Sequence, residues 1–435
     1  MTTKLVEIIE KSTTFALEMN HELYIARRMT LDNGRQNGSP SLTVALVGIV
    51  LAVVVMILSI AIVMGFKDEI TGKIMHLDAH LRVTNAALGI DDNYATVNGR
   101  EVREAIAGNN GFSQLVESVS LVADKSAILK TDNDFMGIIM RGVDSGYDFR
   151  FLQSKIIEGN VPEVSDTASS NQIIISKTIA DRLLLHAGDK VPTYFIDNTI
   201  KVRNLTVSGV FETDLEAFDN AYIVGNIGIV QGVNGWNSDT GTQVAVNLRN
   251  THNLDNDGYK LYTLLAENTV QHESKNLFFV TTTEQNNLPF FAWLQMLDMN
   301  VVIILTLMMI VAAFTLISAM LMIVLERIRV IGNFKALGAT NGSIRRIFIY
   351  LTGKLILKAL IIGNIISIGL CLLQKYCHIV RLDPSAYYMP YVPITLSIPA
   401  LVALNVGIIM VSYLTLLLAS HIISTIKPSA TMRFE

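Results

Sequence analysis

Four stretches of the chain are almost empty of polar residues. Leu42 to Phe66, LTVALVGIVLAVVVMILSIAIVMGF, holds 25 residues without a charge. About 20 apolar residues cross the hydrocarbon of a bilayer, so this run predicts a first transmembrane helix at 42–66. Met299 to Leu325 is also free of charge and predicts a second, at 299–325. A third, at 348–373, carries Lys354 and Lys358 in its first half. Their spacing puts both on one helix face, where their long stems can reach a near interface. The fourth follows Pro390, Pro393 and Pro399, which break its beginning, and is expected over 396–423.

Between the first two runs the pattern changes. KDEITGKIMHL keeps helical spacing and predicts a stalk that prolongs the first span. HLRVTN, SAILKT, FMGIIMRGV, NQIIIS, KVRNLTVSGVF and TQVAVNL predict strands. SKTIADRLLL predicts a helix with Ser176 as N-cap, and HAGDKV a turn leading into a hairpin. Residues 67–298 are too many for a loop and enough for one or two folded domains. The expected fold is an α-helical membrane protein with four transmembrane helices. A large mixed α/β extracytoplasmic domain is inserted between helices 1 and 2.

Composition agrees, with 51% hydrophobic and only 17% charged residues. The net charge of −4 argues against a nucleic-acid partner. The two cysteines, Cys371 and Cys377, fall on different faces of one helix, so no disulfide framework is expected.

Charge also sets an orientation. Residues 326–347 carry Arg327, Arg329, Lys335, Arg345 and Arg346 against one acid, Glu326. The short loop at 374–395 has only Lys375 and Arg381. The positive-inside rule therefore places the 326–347 segment in the cytoplasm. The amphipathic N-terminal segment 1–41, with Arg27 and Arg28, and the C-terminal segment 424–435 go with it. Residues 67–298, with 18 basic and 30 acidic side chains, fall outside.

Catalytic patterns are missing. Gly72-Lys73 and Gly353-Lys354 are followed by Ile74 and Leu355, where a phosphate loop needs a hydroxyl. There is no G-x-S-x-G elbow and no H-E-x-x-H helix. The chain is expected to be no enzyme, to hold no cofactor and to bind no metal. His76, Asp78 and His80 in HLDAH form the nearest approach to a metal set, but a stalk turning into a strand accounts for them. FETDLEAFDN is expected to be a solvated hairpin. Tyr387, Tyr388 and Tyr391 read as an interfacial aromatic belt. Gly48 and Ala52 read as a small-residue pair for close helix packing.

One segment carries more information. IGNFKALGATNGSIRRIF, between the second and third runs, resembles the corresponding segment of FtsX-like ABC transporter permeases. The match runs through Ile331, Gly332, Lys335, Ala336, Leu337, Gly338 and Ala339, then Ile344, Arg345 and Arg346. LYIARR, the K-D-E-I after the first span, AHLRVTN, SKTIADRLLLHAGDKV, VSGVFETDLEAFDNAYI and IKPSATMRFE follow in the family's order. Within the family the chain looks most similar to lipoprotein-releasing permeases of the LolC/LolE type. Val330 stands where many relatives have an acid, and Asn333 and Phe334 replace an aliphatic pair. Met19-Asn20 begins the family's usual start, so residues 1–18 read as an extension or as a misplaced start.

The resemblance implies an inner-membrane permease subunit with both termini in the cytoplasm. Separate ABC ATPase subunits would bind the ATP and Mg and supply the force. Gly332, Lys335, Ala336, Leu337, Gly338, Ala339, Ser343, Ile344, Arg345 and Arg346 would form an ATPase-coupling helix, with glycines at its turns and Ile344 on its apolar surface. A second permease chain, the same or related, would complete a dimer. A groove between the first two spans, with Val53, Met56, Ile60, Met64 and Met308 on its wall, would admit lipid chains of a lipoprotein cargo. A periplasmic carrier would receive the cargo. Two other roles within the family are an FtsX-type regulator of a periplasmic cell-wall hydrolase and an efflux or peptide-export permease.

Overall fold

The computed structural model describes residues 40–86, 96–132, 134–164, 170–196, 199–271 and 276–420. LYIARR, Met19 and IKPSATMRFE lie outside the described residues. The chain divides into two compact units.

The first unit is helical. Among the described residues four helices are long and apolar enough to cross a membrane. The first runs unbroken from Pro40 to Leu77, so the stalk is continuous with the span. The second, Leu288–Glu326, likewise begins well before its apolar run. The third spans Asn341–Cys377 and the fourth Ile398–Ser420. Pro399 lies in the first turn of the fourth helix, where a missing N–H costs nothing.

Ile49, Val53, Met56, Leu316, Met320, Ile344, Phe348, Ala359 and Ile408 join the helices in one buried cluster. Small residues permit the close approaches. A Cβ at Gly363 would lie 2.8 Å from Val53, and one at Gly48 3.1 Å from Thr315. The expected small-residue contact at Gly48 is therefore made against the second span. Cys371 is buried and Cys377 exposed, and neither is bonded to the other.

The second unit contains a sheet of ten strands. They are β1 (Leu81–Asn85), β3 (Val116–Lys130), β4 (Phe135–Val143), β5 (Ile156–Gly159), β6 (Gln172–Ser176), β7 (Lys190–Ile196), β8 (Ile200–Phe211), β9 (Tyr222–Asn226), β11 (Gln243–Leu248) and β12 (Phe278–Thr282). The short β2 (Val97–Asn98) and β10 (Thr240–Gly241) pair apart from it.

The sheet order is β12-β1-β11-β3-β4-β9-β6-β8-β5, and β7 bridges β3 and β8. Six strands thus close a ring: β3, β4, β9, β6, β8 and β7. Closure removes exposed edges. The 15-residue β3 serves two lobes. Its first half pairs with β11, and its second half, Ala127–Leu129, pairs with β7. The helices Gly99–Gly108 and Leu254–Gln271 bury Val102, Ile106, Leu261 and Leu265 in the shared core.

Most sequence expectations hold here. All six expected strands are present, and Ser176 caps Lys177–Leu183 by accepting from the Ile179 N–H. His186 to Asp189 turn into the β7–β8 hairpin. FETDLEAFDN is corrected: it is not a solvated hairpin. Thr213, Leu215, Phe218 and Asp219 are buried, and Glu216–Asp219 forms a single helical turn.

Candidate functional site: the basic turn and the stalk junction

The basic segment folds as two helices, not one. Ile328–Ala336 ends on Leu337, and Gly338 follows with φ +90°. That backbone region favours glycine. The Ala339 N–H donates to the Phe334 carbonyl at 2.9 Å and the Gly338 N–H to the Lys335 carbonyl at 3.1 Å. This is the Schellman pattern, and Phe334 and Ala339 both pack on the helical core beside it. Thr340 then caps the third long helix by accepting from the Ser343 N–H.

The structure redistributes the expected coupling residues. Leu337 is 85% exposed at the apex of the turn, flanked by exposed Ala336 and Gly338, with Lys335 and Ala339 half-buried. Gly332 is buried inside its helix, so it makes no turn there. Ile344 is fully buried beside Ile331 and Phe348, so it supplies no surface for a partner. Arg345 donates to the Leu417 carbonyl at 2.6 Å, binding the third helix to the fourth. Arg346 is exposed on the first turns of the third helix. The surface the turn presents is therefore narrower than the motif suggested: Leu337 and its immediate neighbours.

Of the expected groove residues, Val53 and Met56 are fully buried within the helical unit. They face other helices of the same chain instead of an open groove. Ile60, Met64 and Met308 are half-buried. The exposed apolar face of the second span is formed by Met299, Ile303, Leu307, Ile310 and Phe314. That of the first is formed by Val44, Val47, Leu51 and Ile62. Period alone could not separate these faces, because both helices are apolar all round.

In the α/β unit the two stalks meet at Asp78. Its carboxylate accepts two bonds from the Arg82 guanidinium, at 2.7 and 2.8 Å, and one from the Asn287 amide at 3.0 Å. The Thr283 hydroxyl donates to the Ala79 carbonyl at 2.6 Å. Beside this junction a cavity of about 450 Å³ is lined by His76, Asp78, His80, Arg82, Arg141 and Phe151. The His76 ring stacks on Phe151 at 5.2 Å, and His80 Nδ1 accepts from the Leu248 N–H. Burial lowers the His80 pKa. The three HLDAH side chains are thus engaged separately, and no metal-holding group occurs among the described residues.

Lower on the first stalk, Lys73 is buried and donates to the Thr213 carbonyl (2.9 Å), to Asp214 (3.2 Å) and to the Tyr388 carbonyl (2.8 Å). The Tyr388 ring meets Phe290 and Trp293 edge-on, at 6.1 and 6.3 Å. Tyr388 is therefore half-buried within the α/β unit, packed against the second stalk. Tyr387 and Tyr391 remain part-exposed. Nothing local in the sequence marks Lys73, since its partners lie 140 and 315 residues away.

Comparison with known proteins agrees with this architecture. Residues 42–256 match the MacB-like periplasmic core domain, and residues 302–428 match the FtsX-like permease C-terminal domain. The chain belongs to the FtsX-like family of ABC transporter permeases, whose members work with ABC ATPase subunits. Among its relatives is the lipoprotein-releasing system transmembrane protein LolC of Xylella fastidiosa. It is 23% identical over 421 residues, 92% of this chain and 96% of that protein. The protein of the same name from Neisseria meningitidis serogroup B is 21% identical over 90% of this chain and 94% of that one. Two solved structures are similar in part. They are the extracellular domain of the ABC-type transporter YknZ from Gram-positive bacteria (18% identity, TM-score 0.34, 46% of this chain and 99% of that one) and the periplasmic region of MacB from Actinobacillus actinomycetemcomitans (13%, TM-score 0.34, 48% and 91%).

Proposed function

We propose that this chain is the membrane subunit of an inner-membrane transporter that extracts lipoproteins, driven by a separate ATPase. The observation that carries the reading is the geometry of the basic turn: a solvent-facing Leu337 on a capped, rigid apex. Such a knob suits a pocket on an ATPase subunit that approaches from the cytoplasm. The relatives named for lipoprotein release, similar over more than nine-tenths of their length, support the choice of cargo.

In this reading ATP closes a pair of ATPase subunits and displaces the turn. The first two helices carry the movement outward, because each is unbroken from span to stalk. Two states of the assembly suffice if ATP binds one of them better. The exposed apolar faces of the first two spans, with those of a second permease chain, wall a groove for acyl chains. Moving acyl chains out of lipid costs about 0.8 kcal/mol per methylene exposed, hence the need for ATP and for a carrier with an apolar site. The turn and both termini lie in the cytoplasm, and the α/β unit lies in the periplasm.

The test is reconstitution with the ATPase subunits in proteoliposomes loaded with a triacylated lipoprotein. ATP-dependent release to a soluble acceptor is expected. Absence of release, with ATP-dependent activation of a cell-wall hydrolase instead, would replace this reading with the regulatory one.

A further inference from the structure

The loop 381–391 joins the third and fourth long helices, yet it packs as part of the α/β unit. Its own structure is slight: one helical turn, Pro384–Tyr387, and a single bridge between Arg381 and Tyr391. What holds it is borrowed. The Tyr388 carbonyl accepts from buried Lys73 of the first stalk, and the Tyr388 ring sits against Phe290 and Trp293 of the second. The same ammonium group holds Thr213 and Asp214, in the turn after β8.

Backbone conformation gives an independent sign. Four non-glycine residues with positive φ occur among the described residues, and two of them, Asp214 at +59° and Tyr388 at +60°, meet at Lys73. Such conformations persist where surrounding contacts over-determine them. Thr213 is itself fixed from behind: its N–H and hydroxyl both donate to the Asp219 carboxylate, at 3.1 and 2.7 Å. The ammonium, 4% exposed, therefore ties three chain segments at one point.

We propose that Lys73 is a positioning residue that makes the loop between the third and fourth spans a part of the α/β body. The third and fourth helices then receive the domain's displacement through this loop, alongside the two stalks. A permease of this design has three mechanical inputs per chain instead of two. The transport consequence rests on the function proposed above; the clasp itself does not.

The experiment uses the full chain with its ATPase subunits in lipid nanodiscs. Spin labels are placed on cysteines substituted at exposed Glu216 and Ala386, with Cys377→Ser to remove the exposed native thiol. One narrow distance is expected. Lys73→Met is expected to broaden it to a distribution at least twice as wide, and Lys73→Arg, which keeps the charge and the donors, to restore most of it. Asp214→Asn, which leaves the ammonium and both carbonyl acceptors in place, is expected to broaden it less. In the transport assay Lys73→Met is expected to lower ATP-driven release about tenfold while ATP hydrolysis stays within twofold. A distribution as narrow in Lys73→Met as in the parent overturns the proposal. So does normal release from a Lys73→Met assembly whose loop has come free. If the parent assembly releases no lipoprotein but the distances respond as described, the clasp stands and the proposed cargo fails.

Discussion

The two units bury polar groups in opposite ways. In the helical unit the buried hydroxyls turn back on their own helix: Thr352 donates to the Phe348 carbonyl and Thr415 to the Val411 carbonyl, each four residues earlier. The exchange between Asn364 and Asn405, at 2.8 and 3.0 Å, joins the third and fourth helices by side chains alone. In the α/β unit charged groups tie distant segments instead. Arg141 grips Asp124 through two nitrogens, donates to the Leu77 carbonyl and lies over the Tyr222 ring. Arg103 pairs with Asp144, whose carboxyl is pushed up by burial. Among the described residues the directional ties between the third and fourth helices are few: the Asn364–Asn405 exchange and Arg345 on the Leu417 carbonyl. The braces of the α/β unit join its strands, stalk end and helices through part-buried ion pairs.

The largest test of that contrast is Arg141→Met. It strands a partly buried carboxylate and removes the brace to the stalk end at Leu77. A loss of about 3–5 kcal/mol in domain stability is expected, read by denaturant unfolding of the full chain. A loss below 1 kcal/mol would mean the braces do not stiffen the domain.

Asp219 comes next. Burial raises its pKa to about 6, with the Thr213 hydrogen bonds opposing the rise. A carboxyl whose pKa is raised in the folded state favours folding fully below its unfolded value near 3.8, and loses that contribution as pH climbs through about 6. The wild-type domain should therefore lose about 2 kcal/mol relative to Asp219→Asn between pH 4 and 7. Unfolding midpoints at the two pH values measure it. A pH-independent difference would show that Asp219 titrates normally.

A smaller effect is expected in the membrane. Replacing both Asn364 and Asn405 by Leu should cost about 1 kcal/mol or less, because an inter-helix amide bond in lipid is weak. A steric-trap measurement of helix separation would read it. The smallest effect on stability belongs to Leu337→Asp, within about 0.5 kcal/mol, since the side chain is already in solvent. Ile344→Ala, only seven positions along the same motif, should cost about 2–5 kcal/mol because it opens a cavity.

Hydrophobic periodicity was enough to find the long elements. Apolar runs, the third of them interrupted by Lys354 and Lys358, located the four long helices, and K-D-E-I predicted the continuous first stalk. Strands rich in Ile and Val, such as β4 and β6, stood out by composition. β9 and β12 did not: β9 runs straight into the apolar helix Ile227–Asn234, and β12 is five residues long and stops at the polar turn Thr283–Asn286. The long first half of β3 was hidden for a different reason: VESVSLVAD alternates weakly, with Ser120, Leu121, Val122 and Ala123 buried in succession. In the basic turn the sequence identified the segment and the role of Gly338. It could not tell which apolar side chains face inward, so Ile344 was assigned to a surface it does not reach. The Lys73 clasp left no local trace, since it exists only once segments far apart in the chain have met.

The account depends on the Leu337 apex being the face that meets an ATPase. The direct measurement is thiol labelling of Leu337→Cys in a Cys377→Ser background, with a membrane-impermeant reagent, on sealed right-side-out spheroplasts and on inverted vesicles with and without the ATPase subunits. The account expects labelling only in inverted vesicles, and strong protection there when the ATPase is bound. Labelling of intact spheroplasts, or labelling in inverted vesicles that the ATPase leaves unchanged, would contradict it.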